Sequence, residues 1–154
     1  MGHLIGPLVI GKVIGDVVDP FTPAAKMTIL YGNKHVSNGY DIKPSLAAER
    51  PHVQISGASN ASNLYTLDCC GHSRGIRCYS RELVMYMGSC PAVGIHRYVF
   101  VAFKQTGGGV VGVEAPQERQ NFNTRQFASL NNLGLPVAAI YFNSHKEPKT
   151  TKFI

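Results

Sequence analysis

Charge is scarce in this chain. Only 16% of its 154 residues are Asp, Glu, Lys or Arg, against 44% hydrophobic residues. That balance excludes a disordered segment and predicts one globular domain, 1–154, large enough to bury a core. The charge present is lopsided, with a net +6 and an isoelectric point of about 9.3. A basic protein attracts anions such as phosphorylated partners, acidic membranes or nucleic acid. Nowhere, however, do five or six like charges run together, so no direct nucleic-acid contact is expected. Some basicity gathers at Arg74–Arg81 and Lys146–Lys152, which reads as solvated surface. No apolar run reaches the length of a membrane span. Met1–Ile14 lacks a basic leader region and is broken by Gly6, Pro7 and Gly11. These absences predict a cytoplasmic and nuclear protein whose four cysteines stay reduced.

Two kinds of chemistry are also missing. Cys69, Cys70, His72, Cys78 and Cys90 show neither C-x-x-C nor H-x₃₋₅-H spacing, so no metal site is expected. No G-x-S-x-G nucleophile elbow occurs. A hydrolase built on Cys70 or a serine with His96 as base lacks an identifiable third group. No enzyme and no cofactor are predicted.

What is abundant is turn-forming and strand-forming sequence. Sixteen Gly and nine Pro imply many turns and few long helices. Strands are predicted at Met27–Tyr31, His35–Asn38, His52–Ser56, Leu64–Leu67, Leu83–Met87, Tyr98–Phe103 and Leu135–Asn143, with an edge strand at Val110–Val113. Leu4–Val18 suits a short helix stopped by Asp16, Asp19 and Pro20, and Asn123-Thr124 caps a second over Arg125–Asn131. Asn38-Gly39 is a turn, and His145–Ile154 is a tail expected to fray. Many short strands with a late helix predict an all-β antiparallel sandwich with one or two short helices.

The centre of this pattern is Val93–Phe103, VGIHRYVFVAF. Tyr98–Phe103 reads as a strand buried on both faces. Gly94, His96, Arg97 and Tyr98 at its mouth are the candidate anion site. Glycine admits a ligand to the backbone, His and Arg donate hydrogen bonds, and Tyr joins an apolar body to a polar tip. A core strand whose polar groups bond neighbouring backbone is the plainer reading.

Several segments together resemble one family, the phosphatidylethanolamine-binding proteins, in the plant group of Flowering Locus T and Terminal Flower. They are PLVIGKVIGDVVDPFTP, NGYDIKPS, LYTL, VGIHRYVF, RQNFNTRQFA and NLGLPVAAIYFN, in order along most of the chain. YFNSHKEP, LVMYMG and VVGVEAPQERQ are most similar to the Mother-of-FT-like branch. The resemblance implies a large β-sandwich with a small pocket for phosphate or a phospholipid headgroup. It also implies a non-enzymatic regulator acting through partners such as 14-3-3 proteins and bZIP transcription factors. For this branch the process implied is seed germination and abscisic acid signalling. The positions that would face 14-3-3 correspond to Ser62 and Thr106–Gly109, none of them basic, which argues against direct 14-3-3 binding.

The chain departs from the family at Asp68–Ser80, DCCGHSRGIRCYS. The family pocket combines a D-P-D-x-P loop, a His-Trp pair and G-x-H-R. Only the last is present, as Gly94, His96 and Arg97 followed by Tyr98, and the chain contains no tryptophan. Roughly 20 residues, about 65 Å of extended chain, are missing between Leu67 and Arg81, enough for the loop and a central strand. An impaired pocket and a marginal, aggregation-prone fold follow, because Arg74 and Arg77 fit poorly in a buried strand. A family strand close to W-I-V-V-D-I-P-G-G, read two nucleotides out of phase, gives D-C-C-G-H-S-R-G, which is Asp68–Gly75. Genomic DNA across Leu67–Arg81 is therefore expected to encode that strand in another frame. A locus unable to encode it in any frame refutes the out-of-frame origin.

Overall fold

The computed structural model describes residues 2–57, 65–70, 75–78, 81–84, 94–104 and 123–147. The Val110–Val113 strand, the Gly107–Gly109 loop, Ser62 and Cys90 lie outside the described residues. So does the tail beyond Glu147.

The chain enters through helix α1 (Gly2–Ile10), followed by α2 (Val13–Asp16), a single kinked turn in which Gly15 takes φ +115°. α1 runs through Pro7, where a break was expected. Proline removes only one helical hydrogen bond there, and Gly11 N–H still closes the turn onto the Pro7 carbonyl at 2.9 Å. Next come β1 (Ala25–Tyr31), β2 (Lys34–His35), β3 (Tyr40–Asp41) and β4 (His52–Gly57). They are followed by β5 (Tyr65–Cys70), β6 (Gly75–Cys78), β7 (Arg81–Val84) and β8 (Ile95–Lys104). Helix α3 (Thr124–Leu130) and β9 (Ala138–His145) complete the fold. α3 starts where the sequence places a cap: the Asn123 side chain accepts from Gln126 N–H at 3.0 Å.

The strands form two sheets, β2-β1-β4 and β3-β9-β8-β5-β6-β7. All pairs are antiparallel except β3 with β9, joined in parallel at Tyr40↔Phe142 and Asp41↔Asn143. The Asn38-Gly39 turn sets that pairing. Gly39 takes φ +82°, and the Asn38 side chain accepts from Tyr141 N–H at 2.9 Å.

β8 carries two cores. Tyr98–Phe103 is buried throughout, and because strand side chains alternate, its residues divide between opposite faces. Tyr98, Phe100 and Ala102 meet Met27, Ile29, Tyr31 and Phe142 between the sheets. Val99, Val101 and Phe103 meet Leu8, Val13, Val18 and Phe127 beneath α1 and α3. The inner cluster centres on Phe142: Tyr98 stacks on it at 5.3 Å and Tyr31 meets it edge-on at 5.8 Å.

Asp68–Ser80 differs from expectation. Asp68–Cys70 extend β5, pairing Asp68↔Val101, Cys69↔Phe100 and Cys70↔Val99, and Gly75–Cys78 form β6 on its far side. β5, which begins within the predicted Leu64–Leu67 strand, thus lies directly beside β8. The reason is that an open edge offers backbone partners to any extended segment, whatever its side chains. The replacement is short: β6 has four residues, with a register shift at Ile76/Arg77 where it meets β7.

Backbone pairing without a long apolar strand leaves stability marginal, and a thermal midpoint below about 50 °C is expected. Phe142→Ala, which removes the ring shared by the inner cluster, is expected to cost about 3–5 kcal/mol. Urea titration at 25 °C should then find little folded protein. A cooperative wild-type melt well above that midpoint, or a Phe142→Ala variant that stays folded, contradicts this account.

Candidate functional site

The G-x-H-R segment opens β8. Gly94 sits at an exposed bend with φ +71°, and among the described residues beyond its chain neighbours no atom lies within 4 Å of where its Cβ would stand. The backbone conformation, rather than crowding, therefore calls for glycine, and the main chain there is open to approach. His96 follows, half-buried and opposite Ser144 of β9. Alternation puts His96 on the same face as Tyr98, toward the three-stranded sheet. Tyr98 is only 3% exposed, its ring against Phe142.

Arg97 points the other way. Its Nη1 donates to the Gly11 carbonyl at 2.6 Å and lies 3.8 Å from Asp16 Oδ2. Of the four predicted site residues, the pleat puts His96 and Tyr98 on one face and Arg97 on the opposite one, and Gly94 sits at the bend before the strand. Arg97 ties β8 to the N-terminal segment.

A second arginine does the same from α3. Arg125 Nε donates to Asp19 Oδ1 at 2.9 Å, and its Nη2 donates to the carbonyls of Gly15 and Val18. The two guanidiniums thus hold residues 11–19 against the outer face of the large sheet. Gly11 also permits close packing, since a Cβ there would overlap the Tyr141 ring. Sequence reading missed this clamp, because most of its acceptors are backbone carbonyls, which no residue type advertises.

A cleft of about 330 Å³ lies beside Arg125, between Val18-Asp19 and α3, with Phe103 and Leu135 among its lining. It sits at the far end of β8 from Gly94, about 30 Å along the strand, so it is separate from the predicted anion site. At the other end of the molecule, Glu147 accepts from Ser45 N–H, tying the end of β9 to the Lys43–Ala47 turn. The start of the predicted fraying tail is therefore anchored. Hydrogen bonds from Ser45, side chain first and then backbone, hold the Glu147 carboxyl below its usual range. A lowered folded-state value means this tether is present above the ordinary carboxylate range and is lost as pH falls through the folded value. Among the described residues, no group of three or more His, Cys, Asp or Glu could hold a metal ion. No helix among them is long and apolar enough to cross a membrane.

Two packed sheets with short flanking helices define the class of fold. The structure is similar to a phosphatidylethanolamine-binding protein from Plasmodium vivax, with TM-score 0.73, 16% identity, and coverage of 93% of this chain and 97% of that one. Among curated proteins the chain is 42% identical to Protein MOTHER of FT and TFL1 homolog 2 of Oryza sativa subsp. japonica, covering 96% of this chain and 97% of the relative. It is 38% identical to Protein FLOWERING LOCUS T of Arabidopsis thaliana, over 92% and 91% respectively. No protein-family model matches the chain. The chain belongs to the plant Flowering Locus T and Terminal Flower group of the phosphatidylethanolamine-binding family.

Arg97→Ala and Gly11→Ala are each expected to destabilise the fold by about 1–3 kcal/mol in urea titration, one by losing a charged hydrogen bond and the other by overlap. If Arg97→Ala leaves stability unchanged, its bond to Gly11 is not the structural tie described.

Proposed function

We propose that this chain is a non-enzymatic signalling regulator of the Mother-of-FT-like type, with a weakened anion pocket. It acts through protein partners, bZIP transcription factors foremost, in seed germination and abscisic acid response or in flowering control. A cytoplasmic and nuclear location goes with that role. The reading rests on one observation: similarity to a Mother-of-FT homologue extends over 96% of the chain, whereas the segment that should complete the pocket is replaced. The alignment spans 173 positions and this chain has 154 residues, so the relative carries residues opposite which this chain has none.

The placement of the candidate residues supports the weakened pocket. A small-anion site needs several donors converging in a concavity. Gly94 and His96 remain as one wall, Tyr98 is packed into the core, and Arg97 is engaged with Gly11 on the other face. One half-buried histidine and a glycine supply too few converging donors to hold phosphate tightly. Partner recognition, in contrast, depends on outer surface rather than on the pocket.

The test pairs two measurements on the full chain. Pull-down with bZIP factors is expected to capture the protein, and calorimetric titration with inorganic phosphate or phosphoethanolamine is expected to give a Kd weaker than about 1 mM. Tight headgroup binding, lost in His96→Ala, with no partner capture would instead establish a headgroup-binding module. Failure of both would mark a product without the family's function.

A further inference from the structure

We draw no further inference here: the strongest candidate, the cleft of about 330 Å³ between Val18-Asp19 and α3, is bounded by Phe103 and Thr124, close to the ends of a stretch outside the described residues, and nothing in the structure shows what fills it.

Discussion

β8 is buried from both sides, and every layer of the molecule takes its position from that strand. Its even-numbered residues face the three-stranded sheet and its odd-numbered residues face the helices. A slip of one residue would exchange the two sets and present the Arg97 guanidinium to the aromatic cluster around Phe142. Register is therefore fixed by charge as well as by shape. Arg97 marks the outer face, and its bond to Gly11 sets where the N-terminal segment lies.

The same strand explains how an ill-suited segment finds a place in the sheet. A buried strand with one side unpaired leaves backbone donors and acceptors without partners, at a cost of about 1–3 kcal/mol for each buried group. Tyr65–Cys70 relieve that cost by pairing with β8 through the main chain, and Gly75–Cys78 pair in turn with β5. They do so without the run of apolar side chains that would also fill the volume beside β8. The main-chain pairing is kept, although the sequence of these strands is poorer in apolar residues than Tyr98–Phe103. The pocket is different in kind, because it depends on particular side chains converging, and backbone pairing cannot supply those.

Much of the fold was legible in the residues. The run Tyr98–Phe103, the Asn123 cap and the alternation in His52–Ser56 each carry a local signal strong enough to survive packing. β9 was placed as a buried strand, though its observed span, Ala138–His145, lies further along the chain than the apolar run, since the backbone bends at Leu135 and Val137 before the strand begins. The site was less legible. Gly94, His96, Arg97 and Tyr98 are contiguous in sequence, but the pleat sends Arg97 to the face opposite His96 and Tyr98. The clamp formed by Arg97 and Arg125 was invisible, because backbone carbonyls have no signature in sequence and the partners lie 86 to 110 positions apart.

That separation bears on how the protein is made. The segment from Gly11 to Asp19 leaves the ribosome early, yet the guanidiniums that hold it belong to residues synthesised much later. At about 5–20 residues per second, the first turn waits on the order of 5–20 s for Arg125. Until β9 has also been synthesised, Gly11 has no Tyr141 ring to pack against. The N-terminal helix, apolar in sequence, is thus made well before the groups that hold the segment behind it.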